Sequence, residues 1–271
     1  MGPRIGLIAG SGEFPLLVLN EVKKQGLFCA VLGIRGQAES SLRDRADAWA
    51  WLDAGRAAEA VAFFRGHQVR DILLTGKIEP GLLFRPGELD ATSRSLVEGG
   101  SDKRPSAVIR RVIDFLSGQG LEVADPAPFL SAYFCSEGLL TAKGPARAAQ
   151  EDIDFGWPLA RTLADQDIGQ TLVVKDKAVV AVEGLEGTDE AIRRGGRLAG
   201  PGAVVIKVSR THQDMRVDVP AVGLTTVRSL ADAGAAALCL EAGRVAFFRK
   251  QEAVALAESS GVSLVARKGR E

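Results

Sequence analysis

The chain of 271 residues carries 34 Lys and Arg against 34 Asp and Glu, a formal net charge of zero. That balance excludes nucleic-acid binding through a uniformly basic surface and any charge-driven tail or arm, so function must come from a local site. With 46% apolar residues and no apolar run approaching the roughly 20 residues that span a bilayer, the chain reads as a soluble protein of one large or two small domains.

In chain order, Arg4 to Ala9 predicts a short buried strand that breaks into Gly10-Ser11-Gly12, the start of a βα unit. Pro15 suits the first turn of a helix carrying Leu16, Leu19, Val22 and Lys23 and ending near Gly26, and a strand follows over Phe28 to Ile34. Trp49 to Leu52, a helix from Ala57 to Arg65, a strand at Asp71 to Thr75, a helix from Ala107 to Leu116 and a strand from Leu121 to Val123 continue the alternation. Strands and helices alternating at this length predict a parallel sheet covered on both faces, an α/β fold.

The breaker cluster Asp125-Pro126-Ala127-Pro128 ends that rhythm. It places an N-terminal domain over residues 1–126, a linker over 127–136 and a C-terminal mixed α/β domain over 137–271. The second half predicts a helix from about Ala149 to Leu163, a hairpin over Thr171 to Glu183 with a polar turn, a helix after Thr188, a strand at Ala203 to Val208, a helix near Thr226 to Ala233 and a strand at Ala237 to Leu240. Residues from Arg267 to Glu271 read as a solvated tail. Cys29, Cys135 and Cys239 lie about a hundred residues apart without metal-ligand spacing, which predicts buried free thiols rather than a disulfide or zinc site. The start of the chain has no basic segment followed by an apolar stretch and a cleavage site, which reads as cytoplasmic.

Several segments carry residues suited to chemistry. Gly10, Ser11 and Gly12 can offer N–H groups and a hydroxyl to a phosphate at a helix N-terminus, or form a plain βα turn. The dinucleotide fingerprint is incomplete, with Pro15 at its third glycine. Lys77, after the Asp71 strand, can reach a phosphate or serve as a loop lysine, and His67 suits a helix end. In Glu183-Gly184-Leu185-Glu186-Gly187-Thr188-Asp189-Glu190, Thr188 suits a helix N-cap and the acids its first turn. The same carboxylates could instead hold a hard cation such as Mg²⁺. From Lys207 to Gly223 the chain packs Lys207, Arg210, His212, Gln213, Asp214, Arg216 and Asp218 into one stretch. That set matches what phosphoryl transfer needs, cations for the equatorial oxygens and a carboxylate for metal or water, or else a solvated loop held by ion pairs.

Four motifs fall into one order: Leu7-Ile8-Ala9-Gly10-Ser11-Gly12-Glu13-Phe14-Pro15, Asp167-Ile168-Gly169-Gln170, Ala181 to Asp189, and Gln213-Asp214-Met215-Arg216-Val217-Asp218-Val219-Pro220-Ala221-Val222-Gly223. Together they resemble the LpxI-type UDP-2,3-diacylglucosamine pyrophosphatases of lipid A biosynthesis. The resemblance implies an N-terminal Rossmann-like domain and a C-terminal mixed domain. It further implies a homodimer and Mg²⁺-dependent hydrolysis of the UDP-diacyl-sugar lipid to UMP and 2,3-diacylglucosamine 1-phosphate. Mapped by motif, Asp218 and Asp189 are the expected catalytic and metal-binding carboxylates, and Gln213 and Arg216 hold phosphate oxygens. Gly10, Ser11, Gly12, Lys77, Thr188, Lys207 and Arg210 are expected on the substrate. Neutrality suits an enzyme that meets its lipid by apolar contact at the inner membrane, as a peripheral protein.

The chain departs from the family pattern at three places. Arg210-Thr211-His212 stands where Lys-Pro precedes the Gln, Pro105-Ser106 stands where an Asp-Asp pair opens a helix, with Asp102 out of register, and Glu79-Pro80 replaces Arg-Pro. These departures motivate a second hypothesis, a nucleotide-sugar-lipid binding or regulatory relative with lost or altered activity. A third, an NAD(P)-linked oxidoreductase, rests on the first βα turn alone.

Overall fold

The computed structural model describes residues 2–77, 89–102, 104–216 and 218–269, the side chains of Pro105 and Ser106 excepted. Glu79-Pro80 and the side chains of Pro105-Ser106, where the chain departs from the family pattern, lie outside the described residues. Asp102 is described, and its hydrogen bonds with Arg104 push its carboxyl down to about 2. The backbone separates into two compact units, Met1–Leu130 with Met215–Val217, and Ser131–Asp214 with Asp218–Glu271.

The first unit contains β1 (Arg4–Ala9), α1 (Phe14–Lys24), β2 (Phe28–Ile34), β3 (Ala48–Leu52), α2 (Ala57–Gly66), β4 (Asp71–Thr75), α3 (Ala91–Glu98), α4 (Pro105–Gly118), β5 (Glu122–Val123) and α5 (Ala127–Leu130). Its five strands pair in the order β3-β2-β1-β4-β5, all parallel. The strand runs are almost continuously apolar because helices cover both faces; Leu7, Val31 and Leu73 are sealed from solvent. α2 and α4 cover one face, closing a core around Leu32, Ile72, Phe64 and Leu116. The chain reverses its winding direction between β1 and β4, the point at which open α/β sheets bind ligands outside the carboxyl ends of their strands. Gly10 and Lys77 follow those two strands.

The second unit contains β6 (Gly138–Leu139), α6 (Arg147–Asp165), β7 (Thr171–Lys175), β8 (Ala178–Val182), α7 (Thr188–Ala199), β9 (Val204–Lys207), β10 (Ala221–Val222), α8 (Leu224–Asp232), β11 (Ala237–Glu241), β12 (Ala246–Phe247), α9 (Lys250–Ser259) and β13 (Ser263–Arg267). Its main sheet runs β6-β13-β11-β9-β7-β8, with β13, β11 and β9 mutually parallel and the other pairings antiparallel. Period-two alternation divides the strand residues between two cores. Leu172, Val174, Ile206 and Cys239 face α6, where Ile153 and Trp157 pack. Val173, Val205, Leu238 and Leu240 face the other way, toward Ile192 of α7, Val227 of α8 and Ala253 of α9. Each such buried Val, Leu or Ile side chain contributes roughly 1.5–3 kcal/mol.

The polar hairpin turn is held from outside itself. Asp176 and Lys177 both adopt positive φ, 51° and 57°, an arrangement that favours glycine or asparagine. The buried Asp152 of α6 accepts both of their N–H groups, at 2.9 and 2.7 Å.

One expectation from the sequence is corrected. Arg267 does not open a solvated tail: it ends β13, pairs in register with Glu241, and its guanidinium donates to Asp154 at 2.7 Å. Residues 127–136, read as a linker, contain the division between the two units after Leu130 and carry α5 and a 3-10 turn at Ser131–Tyr133. No helix among the described residues is long and apolar enough to cross a membrane.

All three cysteines are free and buried. Burial pushes the Cys29 and Cys239 thiols up to about 12, and thiol reactivity requires the thiolate. Ellman titration is therefore expected to find no reactive thiol in the native protein at neutral pH and three after unfolding in denaturant.

Candidate functional site

In the second unit, Thr171 opens β7, Glu183 follows β8, Lys207 closes β9 and Glu241 closes β11. Strand direction brings all four to one end of the sheet, because β7 runs against β8 and β9. Thr171 sits opposite Lys207, and the Glu183 N–H donates to the Thr171 carbonyl at 2.9 Å.

Lys207 was expected to reach substrate, but its side chain is only 6% exposed and turns inward. Its Nζ donates to Thr188 Oγ1 at 2.7 Å and Thr171 Oγ1 at 3.2 Å, and lies 3.7 Å from Glu183 Oε2. The Thr188 hydroxyl donates to Glu183 Oε1 at 2.9 Å. Thr188 is consequently not the helix cap: Gly187, at φ 85°, occupies that position, and Thr188 is the first helical residue. The buried ammonium and carboxylate compete for its hydroxyl and win it from the helix backbone. Burial is the largest influence on Glu183 and pushes its carboxyl up. The Lys207 ammonium, the Thr171 and Thr188 hydroxyls and the Gln170 N–H together outweigh it, holding the carboxyl below its ordinary range.

Beside this pair stands Asp218, whose side chain is 45% exposed. Three donors converge on its Oδ2: Gln170 Nε2 at 2.9 Å, Arg210 Nη2 at 2.6 Å and Gln213 Nε2 at 2.7 Å. Gln213 Nε2 also donates to the Asp218 carbonyl at 2.7 Å. Arg210 is shared, with Nη1 3.1 Å from Asp167 Oδ1. The carboxylate is thus fixed in orientation, matched by a cation and still open to solvent. Gln170 joins the halves of the site, its N–H on Glu183 and its side chain on Asp218.

Gly169 makes this junction possible: a Cβ there would stand 1.9 Å from the Glu183 carbonyl oxygen. Gly169→Ala is expected to destabilise the protein by about 3 kcal/mol, at the upper end for overpacking, and to misplace Gln170. Urea melts and the activity of the surviving fold measure the two effects.

The structure brings Lys207, Thr188, Arg210, Gln213 and Asp218 into one hydrogen-bonded cluster. Asp189 lies in the first turn of α7, and its Oδ1 is buried without a hydrogen-bond partner. Arg216 is exposed and is assigned with Met215 to the first unit, unlike its neighbours Asp214 and Asp218. Among the other acids of the Glu183 turn, Glu186 pairs with Arg194, and Glu190 lies 3.3 Å from Arg193 and 3.1 Å from Arg197. No three of His, Cys, Asp and Glu come together as a metal-binding group among the described residues.

In the first unit, Gly10, Ser11 and Lys77 are joined, but not as an open cradle. Gly10 N–H donates to the Thr75 carbonyl at 2.8 Å, while the Ser11 N–H and hydroxyl both donate to the Lys77 carbonyl, at 2.9 and 3.0 Å. These donors, expected on a phosphate, are spent bridging the two strands at the switch point. Gly10 is required by that closeness, since a Cβ would stand 2.5 Å from the Lys77 oxygen. Gly12, at φ 93°, and Lys77 remain exposed there.

Asp167, Gln170 and Thr171 carried no individual expectation, while Glu183 stood among the acids of its turn that could hold a hard cation. Asp167 and Gln170 lie in one of the four ordered motifs and Glu183 in another, and all four residues stand at or near the ends of predicted strands; polar residues at strand ends were the available signal.

These features define a two-unit α/β protein with a carboxylate, amide and cation site at the strand ends of its mixed sheet. Comparison with known proteins narrows the class. The LpxI N-terminal domain model matches residues 4–133 and the LpxI C-terminal domain model residues 136–265. The UDP-2,3-diacylglucosamine pyrophosphatase LpxI of Caulobacter vibrioides is 30% identical over 280 aligned positions, covering 96% of this chain and 95% of that one. The chain belongs to the LpxI family. Among solved structures, the biotin carboxylase domain of a thermophilic 2-oxoglutarate carboxylase aligns at 12% identity over 64% of this chain and 35% of that one, with a TM-score of 0.26. The biotin carboxylase subunit of a pyruvate carboxylase aligns at 10% identity over 74% and 43%, with a TM-score of 0.29. Likenesses this weak define no shared fold.

Proposed function

We propose that the protein hydrolyses the pyrophosphate of UDP-2,3-diacylglucosamine: water attacks one phosphorus, the bridging P–O bond breaks, and UMP and 2,3-diacylglucosamine 1-phosphate leave with release of the water's protons. The observation that carries this reading is the fixed, solvent-open Asp218 with Arg210, Gln170 and Gln213 on Oδ2, in a chain of the LpxI family. With Oδ2 occupied, Oδ1 is the oxygen that would orient the attacking water and accept its proton. Gln213 and Gln170 hold that carboxylate in place, and Arg210 supplies positive charge beside the phosphoryl oxygens as negative charge builds on them. Arg216 and Lys77 are the remaining cations we assign to the substrate phosphates.

A divalent cation such as Mg²⁺, when bound, neutralises phosphoryl oxygens as a Lewis acid. It needs only one or two carboxylates alongside substrate phosphates and water. Asp189 Oδ1 and Glu183 Oε2, buried without a hydrogen bond, are hard acceptors of the right kind, and Asp189 and Asp218 are the residues we assign to it. The same reading takes the enzyme as a homodimer that meets its lipid at the membrane face, supported by the family resemblance.

The test is incubation with UDP-2,3-diacylglucosamine and Mg²⁺, with and without chelator. UMP release that chelator abolishes is the expected result. No release, with the substrate still binding by calorimetry, would reject hydrolysis in favour of a binding relative.

A further inference from the structure

Glu241 is a carboxylate 2% exposed, at the end of β11, for which the proposed reaction has no use. Its Oε2 accepts both the N–H and the hydroxyl of Ser209, each at 2.8 Å. Its Oε1 pairs with Arg161 of α6, whose other terminal nitrogen donates to the Ser209 carbonyl. Arg244 donates through Nε to Ser209 Oγ at 2.6 Å and through Nη2 to the Arg210 carbonyl at 3.1 Å. Every polar group of the fully buried Ser209 is thereby held. On the far side of Arg210, the Thr211 N–H and hydroxyl donate to Asp165 at 2.7 and 2.9 Å. Arg210, the cation on Asp218, therefore hangs between two backbone clamps.

Desolvating the buried Glu241 carboxylate cancels much of its attraction to the partly exposed Arg161, which makes the pair a poor device for stability. The backbone held here is the one from which the guanidinium reaches Asp218 Oδ2 at 2.6 Å.

We infer that Glu241, acting through Ser209 with Arg161, is a positioning residue for the site: it fixes the backbone that aims Arg210 at Asp218. This rests on the reading of Asp218 as the working carboxylate. Glu241→Gln keeps size and an acceptor oxygen but removes the charge that orders Arg161 and Ser209. It is expected to lower kcat about 30-fold with KM within about threefold, since small misplacements of catalytic groups cost up to about 100-fold.

A cycle with Arg210→Met separates positioning from general damage. If Glu241 acts through Arg210, the double variant is no slower than Arg210→Met alone, whereas independent roles multiply. Multiplying losses, or an unchanged kcat in folded Glu241→Gln, would overturn the inference. Ser209→Ala, a smaller change, should show the same loss of kcat in milder form if Glu241→Gln fails to fold. Hydrogen exchange reads the clamp without any reaction. The Ser209 amide should exchange at least tenfold faster in Glu241→Gln, with those of β9 and β11 unchanged; unchanged exchange at Ser209 would overturn the inference. If wild-type protein releases no UMP, the proposed reaction fails, and the exchange result still decides the clamp.

Discussion

Asp218→Asn is expected to lower kcat for UMP release by about 1000-fold while leaving KM within a few fold and the melting temperature near that of the wild type. The range for losing a positioned base or charge stabiliser is about 100- to 10,000-fold. Three donors on Oδ2 have already oriented this carboxylate before substrate arrives, so its removal costs the transition state rather than binding. The substitution is nearly isosteric at a side chain 45% exposed, and the fold should tolerate it. Steady-state kinetics with a thermal melt measures both parts. A kcat within tenfold of wild type would remove Asp218 from the chemistry.

Lys207→Met is expected to cost about 3 kcal/mol of stability near neutral pH, because it leaves the Glu183 carboxylate buried without its cation; breaking one partner of a buried pair costs about 3–5 kcal/mol. The pH dependence should reverse sign. In the wild-type protein the Glu183 carboxyl sits below its ordinary range. Its contribution is therefore present above the unfolded value and lost as pH falls through the folded one. Without Lys207, the strongest influence opposing burial is gone and only the Thr171, Thr188 and Gln170 hydrogen bonds remain against it, so the carboxyl is expected to rise and the penalty at neutral pH to ease as pH falls through its new value. Urea denaturation between pH 4 and pH 8 should show the variant approaching the wild type on acidification. Adding Glu183→Gln to Lys207→Met should recover part of the loss, since the stranded charge is gone. A Lys207→Met variant as stable as wild type at pH 8 would show that the ammonium is not an essential partner of Glu183.

Much of the fold was legible because its elements announce themselves locally. β2 spans Phe28 to Ile34 as its apolar run dictates, and α1 begins with Pro15 in its first turn. α9 and β13 left weaker signals. The buried face of α9 rests on Ala253 and Ala257, alanines that mark no strong apolar stripe. β13 is a five-residue strand whose burial depends on its neighbour β11. Within the site, the stretch from Lys207 to Asp218 was recognisable by composition, but composition could not tell Lys207, turned inward, from Arg210, turned onto Asp218. The Gly-Ser-Gly turn was equally visible, yet its donors serve the Lys77 strand end rather than standing open.

By itself the sequence determined the alternation of strands and helices, the α/β class, the free buried cysteines and the ordered motifs of the LpxI family. These depend on runs and periods a few residues long, where local propensity and burial agree. Tertiary structure alone decided which polar groups meet. Gln170 reaches Asp218 across 48 positions, Lys207 reaches Thr171 across 36, and Ser209 meets Glu241 across 32. Such pairings follow from strand order and direction, which bring distant strand ends together and leave each buried charge only the partners found there. The neutral overall charge thus resolves into locally matched sets, Lys207 with Glu183, Arg210 with Asp218 and Asp167, and Arg161 with Glu241.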